Sequence, residues 1–412
     1  MIRSIRSVGC GRPQSSCPNG RSPFLRLGLM LLVGVLGWPC RADGVDVPAL
    51  VRAINAVGPK GAGHRKAQAA WNRLVRAEAD EIPEILAGMD DSARLAVNWL
   101  RAAVDVIAHR ALDGGDTLPR AELEHFVLDT RHAAKARRTA YELLLAIDPG
   151  VRDRLIPSML HDPSMEMRRD AVGHALATAE RLLESGARRR ALAEYRKALD
   201  AARDLDQIDE AAERLRALGQ TVDLPRHFGF IMRWRLIGPF DNSNKGGFDV
   251  AYGPEVDATP ADQYPGKEGP VRWIDYTTED PYGKVDLNKA LGRFKGAVAY
   301  AYAEFLSDAE RDAELRLGST NANKLWLNGQ LLSANHVYHS GAFIDQYVGK
   351  GRLKKGKNVI LVKILQNEQS ESWAQGWEFQ LRVCDQYGTA ILSQDRQQQG
   401  ARRLAPNRTT PK

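Results

Sequence analysis

The sequence predicts a multidomain chain of the α-then-β class, with stacked helical pairs followed by a β-sandwich. Three observations carry that expectation. From Val47 to about Gly219, apolar residues recur at helical spacing in a background rich in Ala, Leu, Arg and Glu. From about His227 to Leu392 the pattern changes to two-residue alternation among Gly, Asn, Tyr and Trp. Within that second stretch Ala313, Leu315 and Leu317 alternate with Glu314 and Arg316, and a strand from Lys324 to Leu327 ends in Asn328-Gly329, the pair favoured in a tight hairpin because both positions need positive φ. Helices followed by strands, rather than interleaved with them, exclude a single doubly wound parallel sheet.

The chain of 412 residues begins with a segment that has the features of an export signal. Arg3, Arg6, Arg12, Arg21 and Arg26 precede the apolar run from Leu27 to Trp38, which is too short to span a bilayer as a mature helix. Cleavage is expected after Ala42, which makes the protein periplasmic, envelope-bound or secreted; lipidation at Cys40 and retention as an anchor are the alternatives. Residues 1–42 hold six arginines and no acidic residue, so their removal takes the formal charge from +7 to +1. The basic balance therefore belongs to the leader and gives no support to nucleic-acid binding. Cys10, Cys17 and Cys40 leave with it, and Cys384 alone cannot form an internal disulfide.

The helical half contains paired elements. Arg154, Leu155, Ile156, Met159 and Leu160 lead to His161-Asp162-Pro163-Ser164, and a second helix follows from Met165 to Leu176; Asp162 can cap it and Pro163 suits its first turn. Ile82 to Leu86, then Met89-Asp90-Asp91-Ser92, then Leu95 to Ile107 repeat the plan. These pairs resemble HEAT repeats, which implies an α-solenoid over 43–182 with a surface for a protein partner. Ala191, Tyr195, Ala198 and Leu199, followed by Ile208 to Leu218, resemble one tetratricopeptide unit, although Asp204 and Asp206 stand in the turn and the family's proline is missing. An ordinary amphipathic hairpin is the competing reading of that connector, 183–225.

The β half, 226–392, opens on Arg233 to Ile237, a Gly238-Pro239 turn, and Asp241-Asn242, whose side chains can bond their own backbone. Ala297 to Phe305 alternates Ala299, Ala301 and Ala303 with Val298, Tyr300 and Tyr302; the small side permits close approach of a second sheet. The strand, polar turn and Trp-x-Asn-Gly hairpin, with the basic Gly-Asn turn and apolar strand from Leu353 to Leu365, resemble the galactose-binding-like jelly rolls that accompany many glycoside hydrolases. That resemblance implies a β-sandwich jelly roll that binds or positions a ligand through loops at one end. Its matching candidates are Asn242, Asn321, Asn323, Trp326 and Asn328, with Trp373 as the better exposed aromatic beside the core residue Trp377. An aromatic face and planar amides suit a sugar ring. Thr320-Asn321-Ala322-Asn323 lacks the paired carboxylates of many relatives, which weakens a structural calcium site, and no cofactor is expected. The tail from 393, rich in Gln, Arg and Pro, is expected to be disordered.

Catalytic motifs are missing from the mature chain. Gly58 to Gly63 is followed by His64-Arg65 rather than Lys-Ser/Thr, so it is not a P-loop, and no G-x-S-x-G, H-E-x-x-H or C-x-x-C occurs. His336-x-x-His339 with Asp345 is a poor metal pattern beside a hydrogen-bonded pair. The sequence favours an exported non-catalytic binding or scaffold protein, with a protein partner on the helices and a glycan or envelope ligand on the sandwich. An accessory or catalytic part in polysaccharide processing is the alternative, and a purely structural sandwich the third.

Overall fold

The computed structural model describes residues 45–257 and 260–396. The expected leader, 1–42, lies outside the described residues, as does the chain beyond 396. The first residues of the expected tail are packed: Ser393 Oγ accepts from the Leu306 amide at 2.9 Å, and Arg396 donates to the Phe230 carbonyl.

Helices fill the first half. They are α1 (Val47–Asn55), α2 (His64–Leu74), α3 (Ile82–Ala87), α4 (Arg94–Gly114), α5 (Arg120–Leu128), α6 (Ala134–Ile147), α7 (Val151–Leu155), α8 (Met165–Glu184), α9 (Arg188–Ala201), α10 (Leu205–Ala217) and α11 (Leu224–Phe228). Each buries one stripe, as helical spacing requires. On α8 that stripe is Met167, Ala171, Val172, Ala175, Leu176 and Ala179. Charges link alternate helices along their partly exposed faces. Arg101 of α4 meets Glu142 of α6 at 2.6 Å, Arg138 of α6 meets Asp170 of α8 at 2.5 Å, and Arg169 of α8 meets Asp206 of α10. The positions 182 and 225, where the sequence suggests boundaries, fall inside α8 and α11.

One local expectation is corrected. Ser164, not Asp162, caps α8, its hydroxyl accepting from the Met167 amide. Asp162 instead forms a bidentate pair with Arg137 at 2.8 and 2.6 Å, and both side chains are buried. A guanidinium inside the helical core needs a full carboxylate partner, and that demand outweighs a cap which a serine supplies as well.

The second half is antiparallel. Its strands are β1 (Arg233–Asp241), β2 (Gln263–Pro265), β3 (Pro270–Arg272), β4 (Ile274–Thr277), β5 (Val285–Asp286), β6 (Ala297–Ser307), β7 (Arg311–Ser319), β8 (Ala322–Leu327), β9 (Gln330–Asn335), β10 (Tyr347–Leu353), β11 (Gly356–Gln366) and β12 (Glu378–Cys384). A six-stranded sheet runs β4-β1-β6-β11-β8-β9, a four-stranded sheet runs β10-β7-β12-β5, and β2 and β3 form a small pair; neither larger sheet closes into a barrel. The two larger sheets face each other across one core, to which β6 contributes Ala297, Ala299, Ala301 and Ala303, and the opposite sheet Leu315, Leu317, Phe379 and Leu381. The small residues of β6 therefore lie on the inner face, as their alternation predicts. Val298 and Tyr300 point the other way into a second apolar cluster with Phe240, Phe248 and Tyr264, which explains why β6 is buried along nearly its whole length. Gly238-Pro239 is not a turn: β1 continues to Asp241, and the register against β6 shifts between Ile237 and Phe240. A proline has no amide to give a ladder, and a bulge absorbs it.

Helices and sheets meet along the outer face of the four-stranded sheet. The Ile231 amide donates to the Leu381 carbonyl and the Val383 amide to Gly229. Gly229 has φ +81°, and a Cβ there would stand 2.6 Å from the Val383 oxygen, so the close approach requires glycine. Asp345 receives Arg382 Nε at 2.6 Å and Arg316 Nη1 at 2.7 Å, while Arg382 Nη1 also donates to the Phe228 carbonyl of α11. Burial pushes the Asp345 carboxyl up, but the bonds and charges of Arg382 and Arg316 outweigh it and hold it below the ordinary aspartate value. The Tyr282 hydroxyl donates to Asp209 of α10 at 2.7 Å.

Candidate ligand-binding site

The residues singled out in the sequence lie at two places, because β8 separates them. Asn321 precedes this strand and Asn328 follows it. At ~3.3 Å per residue the two turns lie roughly 20 Å apart.

At the first end three asparagines are fully buried. Asn242 Nδ2 donates to the Tyr338 hydroxyl (3.1 Å) and the Gln366 carbonyl (3.0 Å), and its Oδ1 accepts from the Gly247 amide. Asn321 Nδ2 donates to Gln366 Oε1 and the Gly376 carbonyl, both at 3.1 Å, and its Oδ1 accepts from the Glu378 amide. Asn323 Nδ2 donates to the Asn321 carbonyl, and its Oδ1 accepts from Asn335. These amides brace the loops from within and present no surface to a ligand.

At the second end Asn328 shapes its own hairpin. It has φ +52° and the following glycine φ +80°, which fits the tight turn. Its Nδ2 donates to Asn358 Oδ1 and its Oδ1 accepts from the Val359 amide, each at 2.9 Å. Trp326 is half-buried on β8, opposite Leu361 of β11 and Leu331 of β9.

What the first end turns outward is aromatic. Trp373 sits in a short 3-10 turn, Ser372–Ala374, and is 62% exposed. Phe343 and Val337 are exposed as well. The His339 ring meets Trp373 edge-on with centroids 5.0 Å apart. His339 is itself fixed: its ring nitrogen lies 3.0 Å from Asn367 Oδ1 and its amide donates to the Thr320 carbonyl at 2.6 Å. Lys295 Nζ donates to the Ala374 carbonyl at 2.9 Å and fastens the turn that carries Trp373; burial lowers its pKa, against a smaller opposing effect of Glu371. Glu368 accepts from the Asn244 amide, and the Lys245 ammonium lies 5.5 Å from the Tyr338 ring centre. The site is thus an open, aromatic loop end on a rigid polar underlay.

The two histidines do not converge. His336 stacks on Phe248, with ring centroids 4.2 Å apart, whereas His339 turns to Asn367 and Trp373. Among the described residues no group of three or more His, Cys, Asp or Glu is placed to hold a metal. Cys384 is buried, and desolvation pushes its thiol up to about 11. Sequence reasoning missed His339 as the neighbour of Trp373, and Tyr338 beside His339; the signal was their place in one long segment between strands.

No family model matches the chain, and no curated protein does. Similar solved structures include a beta-glucosidase from Kluyveromyces marxianus in complex with glucose (18% identity over 26% of this chain and 13% of that one, TM-score 0.18). A family 35 carbohydrate binding module from Clostridium thermocellum has 13% identity over 21% of this chain and 71% of its own length, TM-score 0.16. A GH31 alpha-xylosidase from Xanthomonas citri has 12% identity over 27% of this chain and 14% of its own, TM-score 0.15. These likenesses are local, and the chain spans a small part of both enzymes.

Proposed function

We propose that this chain is an exported, non-catalytic binding protein whose jelly-roll-like half holds a glycan at the loop end, while the helical array, of HEAT-like character, offers a surface to a protein partner. One observation carries the glycan reading: Trp373 is exposed, its ring is met edge-on by His339, and its turn is fastened by Lys295. An aromatic ring held this way stacks on the apolar face of a sugar at reduced ordering cost, and neighbouring polar groups meet the hydroxyls. The arginine-rich leader ahead of an apolar run supports export.

The test is titration of the full mature protein against a panel of soluble polysaccharides and oligosaccharides. Trp373→Ala is expected to weaken binding roughly tenfold, the order of one lost aromatic contact. Trp326→Ala, at the far end of β8, is expected to leave it unchanged. Undiminished binding by the Trp373 variant, or loss that follows Trp326 instead, refutes the loop-end assignment.

A further inference from the structure

A cavity among the described residues lies away from the loop end. It has a volume of about 470 Å³ and opens where α11, the start of β1, the end of β4 and the segment 391–396 come together. That volume is within the range of small-molecule sites, which favour junctions of this kind. Its lining joins the apolar Phe230, Met232 and Ile391 to Arg226 and Arg396, with carboxylates at Glu279 and Asp395.

Arg396 is the unusual group. Its side chain is only 24% exposed, yet its nearest carboxylate, Asp223, is 3.9 Å away and far more exposed. Asp223 is also committed elsewhere, capping α11 through the Arg226 amide at 2.9 Å. One guanidinium nitrogen of Arg396 donates to the Phe230 carbonyl, a neutral acceptor. Burial lowers the Arg396 pKa; Asp223 and Asp395 oppose this, Arg226 and Arg233 add to it, and the net shift is downward. Glu304, also in the lining, is held by Lys357 at 2.5 Å and by the Tyr302 hydroxyl. A largely buried guanidinium beside apolar residues, its ion pair with Asp223 long at 3.9 Å, has the character of an anion receptor.

We propose that this cavity binds a small organic acid, its carboxylate received by Arg396 and Arg226 and its apolar body lying on Phe230, Met232 and Ile391. The site is independent of the loop end and of any glycan bound there.

The probe is 2-naphthoate, with the neutral 2-naphthalenemethanol as its isostere, titrated calorimetrically into the full mature protein. Saturable binding of the acid is expected, with the alcohol at least about tenfold weaker, as loss of a charge-assisted bond implies. Arg396→Gln is expected to bring the acid down to the level of the alcohol. Because Arg396 also holds the Phe230 carbonyl, Arg226→Gln serves as a second variant, with thermal melting to confirm the fold. Met232→Trp, which fills the cavity, is expected to abolish binding of both. Equal affinity for acid and alcohol, undiminished acid binding in both arginine variants, or no saturation by the acid up to about 10 mM, a level expected of even an inefficient ligand of this size, overturns the proposal.

Discussion

Replacing Asp345 by asparagine tests the seam between the helices and the sheets. The carboxylate receives Arg382 Nε at 2.6 Å and Arg316 Nη1 at 2.7 Å, and the Arg382 side chain is almost wholly buried. Asparagine keeps the size and removes the charge. Arg382 would retain only neutral acceptors, the new amide oxygen and the carbonyls of Phe228 and Gly388, while Arg316 would keep Glu314 at 2.7 Å. Breaking a buried pair costs about 3–5 kcal/mol, and the surviving partners reduce this to roughly 2–3 kcal/mol. Asp345 has φ +62°, which asparagine tolerates. Asp345→Ala therefore loses about 1 kcal/mol more through backbone strain alone. The sign with pH follows from the lowered carboxyl. Its contribution is present above the unfolded aspartate value, ~3.9, and is lost as pH falls through the folded value. Urea denaturation followed by circular dichroism is expected to show a constant gap between parent and Asp345→Asn from pH 7 to 5, closing below about 4. A gap under about 0.5 kcal/mol, typical of a surface pair, would refute the reasoning, as would identical stability of the Asn and Ala variants.

Other seats of stability are equally specific. Lys363 is fully buried and bonds Glu255 at 2.6 Å, so Lys363→Met is expected to cost about 3 kcal/mol in urea unfolding, with Glu255→Gln in the same chain restoring much of it. Asn321→Ala is expected to cost roughly 2–4 kcal/mol by taking away the donor to Gln366 Oε1 and the acceptor of the Glu378 amide, and to speed amide exchange at Glu378. The His227 pKa is pushed down to about 4 by burial, with Arg203 and Arg382 adding to the effect and a backbone bond at Ala202 opposing it. The neutral ring is the one that fits, so its contribution is complete above the unfolded value of ~6.5 and is lost between there and 4; His227→Gln is expected to flatten the stability profile in that window by at most about 3 kcal/mol.

What the sequence reveals is whatever is decided locally. The alternation in β7 and the Asn328-Gly329 turn depend on neighbours one or two residues away, and both are found where the pattern puts them. Trp377 sits in the core and Trp373 outside it, as the apolar strand that follows Trp377 suggests. Long-range partners decide the rest. Asn242 and Asn321 have the chemistry of sugar contacts, but Gln366 and Tyr338, distant in sequence, occupy them. Asp162 reads as a helix cap until Arg137, 25 residues earlier, takes both its oxygens. The spacing of His336 and His339 suggests a pair; their separate partners Phe248 and Asn367 come from other loops.

The burial of those asparagines changes how the loop end can recognise anything. Its amides are spent on Gln366, Gly376 and the Glu378 amide, so specificity cannot rest on them. What they supply is rigidity: a saturated buried network fixes backbone positions that a mobile loop would have to order on binding. On the proposed glycan reading, recognition falls to the surface laid over them, Trp373 with His339 and Lys245, which would select ligands by apolar face first and hydroxyl pattern second. His339 and Asp345 belong to the same short segment, and both hold positive φ, +58° and +62°. One end of that segment is anchored in the Trp373 site and the other in the seam with the helices. The geometry of the loop end is therefore not set by the sheets alone; the helical half holds one of its supports through Arg382.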